Sequence, residues 1–189
     1  MTDRPRILLH LCCAPCATAC IERLQAEGYE VVPLWYNPNI TDPVEHERRL
    51  REAQRYAEKL GLELIAPPYT PEAWEALVRG MEEEPEGGRR CEVCFRVRLE
   101  AAARAARELG IGRFTTTLTV SPHKSFERVR VAAEAAAARE GAEYVPYDFK
   151  KQAGFQRSTE LAAEHGLYRQ DYCGCEFSKR EREQRRRAR

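Results

Sequence analysis

Eight cysteines fall in three groups: Cys12, Cys13, Cys16 and Cys20; then Cys91 and Cys94; then Cys173 and Cys175. Thiolates are soft donors for zinc, iron and iron–sulfur clusters, and in pairs they are redox-active. The first group stands in His10-Leu11-Cys12-Cys13-Ala14-Pro15-Cys16, where an apolar run gives way to a helical pattern. Unpaired backbone N–H groups and the positive end of the helix dipole stabilise thiolates at such a junction. Pro15 suits an early helical position because it has no N–H to leave unpaired. Cys20, one turn beyond Cys16, reads as a small core residue. Cys91-Glu92-Val93-Cys94 is a CxxC at a helix start, fitting zinc, an iron–sulfur cluster or a dithiol pair. The dithiol reading is weaker, because Gly87-Gly88-Arg89-Arg90 precedes that helix instead of a strand. Cys173-Gly174-Cys175 lets both sulfurs reach one metal, or close a strained and reducible disulfide. Structural zinc on the last four cysteines is the plainer alternative.

Oxygen and nitrogen groups follow the same thiols. Asp148, with Lys150, Lys151, Arg157 and Ser158 after it, is either part of a surface cluster or an oxygen ligand to a metal left open to substrate. Tyr168, Gln170 and Tyr172 offer aromatic and amide faces suited to a nucleobase, or else pack the C-terminal segment onto the core. Neither G-x-x-x-x-G-K-[ST] nor G-x-G-x-x-G occurs. Thiols stand where a nucleotide-binding fold would place its phosphate loop, which exchanges phosphate chemistry for metal chemistry.

The elements that must position these residues alternate. Short apolar runs at 6–11, 31–36, 62–66, 114–118 and 143–147 predict about five strands. Helical periods fill 14–27, 43–60, 91–109 and 123–140. Gly28, Gly61, Gly110 and Gly141 sit where those helices should stop. This alternation predicts an α/β domain of right-handed βαβ units on a parallel sheet. Ligands then bind beyond the carboxyl ends of the strands. The first strand runs into Cys12 and Cys13, the second into Asn37-Pro38-Asn39, the fourth into Thr119 to Lys124. Residues 67–90 read as an irregular insertion delivering Cys91 and Cys94 to the same rim. The segment after about 148 is an extension that must fold back to bring Cys173 and Cys175.

At 189 residues the chain suits one domain, 1–189, with the metal site inside it. The apolar share of 43% is ordinary, and the charged share of 32% suggests a helix-rich polar surface. With 31 bases against 30 acids, net charge says little about partners, but seven of the last eleven residues are basic. No apolar run is long enough to span a bilayer, so no membrane partner is expected. The stretch from Ile7 to Ile21 imitates a signal peptide, yet His10 interrupts it and cleavage would discard the first thiols. A cytoplasmic location, where disulfides are rare, is the expectation.

The phrases LHLCCAPC (9–16), YNPNI (36–40), CEVCFRVRL (91–99), FTTTLTVSPHK (114–124), YDFKKQAGF (147–155) and YRQDYCGCEFS (168–178) together resemble the cobalamin-independent QueH-type epoxyqueuosine reductases. The six blocks keep their order over nearly the whole chain; residues 67–90 and the Arg-rich tail lack a matching phrase. The resemblance implies an adenine-nucleotide α-hydrolase-like, Rossmann-related fold with a helical C-terminal extension. It implies reduction of epoxyqueuosine in the tRNA anticodon arm to queuosine, with an external one-electron donor. It implies a [4Fe–4S] cluster and a second, mononuclear iron. Cys12, Cys13, Cys91 and Cys94 match the metal-binding thiols, Cys16 is a further candidate, and Cys173 and Cys175 match a CGC element. An open iron would act as a Lewis acid on the epoxide oxygen. Lys124, His123, Tyr172 and Lys150 are candidate proton donors, and Asp148 a candidate ligand. Arginines of the tail and of the Arg48-Arg49-Arg51 helix are candidates to hold tRNA phosphates. Two rival readings are a PP-loop-like iron–sulfur tRNA thiolase, which should show an SGGxDS loop, and a zinc-stabilised RNA-binding module.

Overall fold

A computed structural model describes residues 4–188. The first strand, β1 (Arg6–Leu11), is followed by α1 (Ala14–Ala26), β2 (Glu30–Trp35), α2 (Pro43–Lys59) and α3 (Pro71–Val78). Then come α4 (Arg89–Glu108), β3 (Arg113–Thr116), a 3₁₀ turn (Thr117–Val120), α5 (Phe126–Glu140), β4 (Glu143–Tyr144), α6 (Gly154–Glu164) and α7 (Glu176–Arg187). The strands form one parallel sheet in the order β2-β1-β3-β4.

Because parallel strands are covered on both faces, β1 is an unbroken apolar run, and its alternating side chains enter two cores. Ile7, Leu9 and Leu11 pack with Ile21 and Leu24 of α1 and Tyr56 of α2. Leu8 points the other way, to Leu99 of α4, Phe114 of β3 and Val129 of α5. The chain leaves β1 toward β2 on one side and reaches β3 on the other, so the order reverses between β1 and β3. In open α/β sheets that reversal opens a crevice at the carboxyl edge. A third, smaller core joins Trp74 and Val78 of α3, Cys94 of α4, and Cys175 and Phe177 at the start of α7.

The sheet has four strands among the described residues, not about five. Residues 62–66 contribute a single bridge, Leu34 to Ile65, in which Ile65 N donates to Pro33 O and Trp35 N to Ile65 O. Pro67 and Pro68 follow at once and have no N–H to extend the ladder. β3 stops at Thr116, whose hydroxyl accepts from Leu118 N at 3.1 Å and turns the chain. β4 ends before the N–H-less Pro146. The segment 67–90 is not wholly irregular, since it contains α3. α5 begins three residues later than its apolar period suggests, because Ser125 Oγ caps it by accepting from Arg128 N. The extension past 148 is helical: α6 packs on α1, and α7 closes the third core. No helix among the described residues is long and apolar enough to cross a membrane.

Candidate metal centre and its cleft

β1 ends at Leu11 and α1 begins at Ala14, so Cys12 and Cys13 occupy the turn between them. Cys13 is the N-cap of α1: its sulfur accepts from Cys16 N at 3.2 Å. That single contact folds Cys16 back toward Cys13. The sulfurs of Cys12, Cys13 and Cys16 all lie within 4.8 Å of one another, the closest set of potential metal ligands among the described residues. Cys12 is fixed from the far side of the crevice. Its N–H donates to Thr117 Oγ1 at 2.9 Å, and that hydroxyl donates to Cys12 Sγ at 3.2 Å.

Hydrogen bonds from the Cys13 and Cys16 thiols hold Cys12 well below the ordinary thiol range, against the cost of burial, with help from Lys124 and Arg98. Burial, and then its bond to Cys12, pushes Cys13 up to about 12. Hydrogen bonding to Cys12 and Cys13 raises Cys16 also. His10 below them is neutral. Burial, then the Arg98 charge, lowers it to about 3. Its Nε2 must donate to the Tyr36 carbonyl at 3.2 Å, so Nδ1 accepts from Thr116 Oγ1 at 2.9 Å.

Of the other four candidate thiols, Cys94 and Cys175 lie in the third core, Cys91 packs against the second, and Cys173 is half-buried in the cleft lining. Cys91 lies in the first turn of α4 and accepts from Gly87 N at 3.2 Å. Cys94 is buried one turn on, and Cys175 is the N-cap of α7, accepting from Ser178 N at 3.4 Å. The N-termini of α1 and α7 therefore each present an N–H group to a cysteine sulfur, whereas Cys91 of α4 takes its N–H from the loop before the helix. All eight cysteines are free thiols, so the disulfide weighed for Cys173 and Cys175 is not formed. The Cys175 sulfur is held by its own helix cap, and Gly174 between them takes φ +137°.

Two cations join the thiol groups. Arg98, 2% exposed, donates to Cys94 Sγ at 3.8 Å and to Asn37 Oδ1 at 2.5 Å. Asn37 in turn donates to Leu11 O at 2.9 Å, tying the ends of β1 and β2 to α4. Burial opposes charge on Arg98 and on Lys124, yet both are held fully cationic by sulfurs of the two groups: Cys94, Cys12 and Cys173 for Arg98, and Cys173, Cys12 and Cys16 for Lys124. A cleft of about 600 Å³ opens beside them, lined by Cys12, Cys13, Cys16, Cys173, Lys124 and Tyr172 among others.

The expected site residues divide accordingly. Lys124, His123 and Tyr172 line the cleft. Burial pushes the Tyr172 hydroxyl up to about 12, so it stays protonated. Asp148 and Lys150 stand outside the lining: Asp148 accepts from Lys150 N at 3.3 Å, and Lys150 Nζ donates to Lys124 O at 2.7 Å. Cys20 is buried in the first core. Arg49, one of the candidate phosphate holders, is instead 2% exposed. It pairs with Glu45 at 2.6 Å and donates to Cys173 O and Tyr172 O, fixing the CGC segment. Residues not singled out from sequence are Thr117, Arg98 and Asn37's role as a brace. Arg98 was findable, since positions 91, 94 and 98 share one helix face.

The family model described as "Epoxyqueuosine reductase QueH" matches residues 7–181. Relatives of that name include one from Streptococcus pyogenes serotype M1, 38% identical over 181 residues, spanning 93% of this chain and 71% of its own. One from Dehalococcoides mccartyi is 34% identical over 178 residues and covered to 94% on both sides. One from Helicobacter pylori is 35% identical over 179 residues, spanning 91% of this chain and 49% of its own. The chain thus belongs to the QueH family of epoxyqueuosine reductases, oxidoreductases of queuosine biosynthesis.

Proposed function

We propose that this chain removes the epoxide oxygen of epoxyqueuosine in tRNA, giving queuosine, at a redox metal centre held by its cysteines. The observation that carries this reading is the thiol triad at the switch point of a parallel sheet, opening into a cleft beside a cation, in a chain of this family. We propose also that residues 1–189 act as one adenine-nucleotide α-hydrolase-like, Rossmann-related domain working in the cytoplasm.

The donor set suits such a centre. Soft sulfurs, those of Cys12, Cys13, Cys91, Cys94 and Cys175 receiving N–H or O–H bonds, with Arg98 and Lys124 beside them, match iron and iron–sulfur ligation. Cys12, Cys13 and Cys16 would hold it together with Cys91 and Cys94, with Cys173 and Cys175 completing the thiol supply for a [4Fe–4S] cluster and a second iron. When bound, an iron–sulfur cluster supplies electrons singly, so an external one-electron donor must refill the site. The overall change, epoxide plus two electrons and two protons to alkene and water, also needs proton donors and a place for the departing oxygen. Lys124 stays cationic and Tyr172 stays protonated at neutral pH; both face the cleft, where they can donate hydrogen bonds to that oxygen.

The test is direct. Anaerobically purified protein should contain iron and acid-labile sulfide. With a strong one-electron donor it should convert epoxyqueuosine-tRNA to queuosine-tRNA without ATP or cobalamin, read as loss of one oxygen by nucleoside mass analysis. Stoichiometric zinc without sulfide rules the redox centre out. An unchanged nucleoside mass, with tRNA modified only when ATP and a sulfur source are added, makes the protein a thiolase.

A further inference from the structure

Three arginines of α7, Arg182, Arg185 and Arg186, line the cleft. Their i, i+3, i+4 spacing makes one stripe. An adjoining stripe anchors the helix. Phe177 is buried beneath the Arg90 guanidinium at 4.2 Å, and Glu181 pairs with Arg90 at 3.5 Å and accepts from Glu86 N at 2.9 Å. The helix is therefore docked without help from the cleft-facing arginines.

Arg182 and Arg186 pair with a carboxylate at the cleft mouth, and Arg185 divides between one there and Glu181 of its own helix, at 3.2 Å. Asp171 lies 3.3 Å from Arg182 and 3.7 Å from Arg186, and Glu86 lies 3.4 Å from Arg185. The side chains of Asp171, Arg185 and Arg186 are 56%, 64% and 70% exposed, so water weakens these pairs. Arg182 is more enclosed. Its Nε is buried with no partner, and its guanidinium lies 5.5 Å from the centre of the Tyr172 ring. Phe155, 40% exposed, stands in the same cleft. Guanidinium groups alternating with open aromatic faces are how proteins track a nucleic-acid strand.

We propose that Arg182, Arg185 and Arg186 are a binding site for the phosphodiester groups of a polynucleotide, and that Asp171 and Glu86 hold these guanidinium groups until phosphates displace them. All three arginines follow residue 181, where the family match ends, so family membership does not supply this site. Identifying the polynucleotide as tRNA rests on the reading under Proposed function.

The discriminating experiment measures binding of epoxyqueuosine-bearing tRNA to the metal-loaded protein across a salt series. Arg182→Gln, Arg185→Gln and Arg186→Gln should each weaken binding and flatten the log–log salt slope by about 0.7. Asp171→Asn and Glu86→Gln should act oppositely, tightening binding about two- to five-fold. Arg180→Gln and Arg187→Gln, outside the cleft, should change neither. If Asp171 and Glu86 merely latch the helix, their substitution will weaken binding or leave it unchanged, and the proposal fails. Thermal unfolding of each variant shows whether the helix stayed docked; Arg186→Gln, at the exposed end, is the variant least able to perturb the fold. Inorganic phosphate displacing tRNA at equal phosphate concentration would also overturn the polynucleotide assignment. Turnover is scored separately. Absence of turnover with the expected binding signs sinks the reductase reading alone; turnover with the wrong signs sinks the phosphate site alone.

Discussion

Cys12, Cys13 and Cys16 belong to the β1–α1 turn and the first turn of α1, whereas Cys91, Cys94, Cys173 and Cys175 are assembled from α4 and the segment before α7. The first group is organised chiefly by the local Cys13 cap, with Thr117 bracing Cys12 from across the crevice, and it lines the cleft. The second depends on contacts between distant segments, and buried arginines hold those segments. Arg90 gathers the carbonyls of Met81, Glu82 and Glu84, and Arg49 gathers those of Tyr172 and Cys173. A local turn keeps its shape when the rest loosens; a site built from remote pieces fails with its braces. The two groups should accordingly answer differently to the same kind of damage.

The largest effect expected is on metal content. Cys12→Ser and Cys91→Ser should each abolish bound iron and sulfide if the groups serve one centre. Retention of most iron in either variant would show that the groups hold separate centres. Next, Arg90→Ala should cost about 3 kcal/mol in urea unfolding, because it strands three carbonyls that a charged donor satisfied. Its loss should loosen Cys91, Cys94 and Cys175 while thiol labelling of the Cys12 turn stays unchanged. Gly174→Ala should cost about 2 kcal/mol: its Cβ would stand 2.8 Å from Ile40 Cγ1 at a φ of +137°. Cys20→Ala should keep all its iron and lose about 1 kcal/mol of packing. An iron-free Cys20→Ala protein would mean that the first group is larger than the triad.

The smallest effect is a pH dependence away from the thiols. Burial, and the Arg49 charge against that of Glu47, lowers His46, whose Nε2 accepts from Trp35 Nε1 at 3.1 Å. As pH falls below 6.5 the unfolded chain takes up the proton first. This contribution to stability is complete above that value and is lost as pH drops toward the lower folded value. Urea midpoints from pH 7 to 5 should fall in the wild type and fall less in His46→Gln.

The same contrast explains what was legible in the sequence. The β1–α1 junction announces itself because an apolar run, a cap and a proline are contiguous; its three gathered thiols needed no tertiary knowledge. α2 and α4 follow from period and terminal signals alone. The bridge at Ile65 was read as a strand because Leu62 to Ala66 has strand composition, and only the neighbouring prolines and β2 decide its length. α3 was obscured by Pro67, Pro68 and Pro71, although Pro71 merely opens the helix. Arg49 looks on paper like Arg48 and Arg51 beside it. Burial against Glu45 and the CGC segment separates it from them, and burial is a property of the assembled molecule. Asp148 is a candidate by its neighbours in sequence, and in the fold its carboxylate accepts from Lys150 N in the turn it begins.

Tyr172, Cys173 and Arg182 form one wall of a cleft whose opposite wall is Cys12 to Cys16. During synthesis the thiols of the Cys12 to Cys16 wall precede Cys173 by on the order of 160 residues, roughly 10–30 s at ordinary elongation rates. Throughout that interval the triad has no opposite wall, and Arg49 has no carbonyls of the CGC segment to hold. The cleft consequently does not exist until the segment through Arg182 has been made, and a centre drawing on both thiol groups can be completed only after Cys173 and Cys175 have emerged.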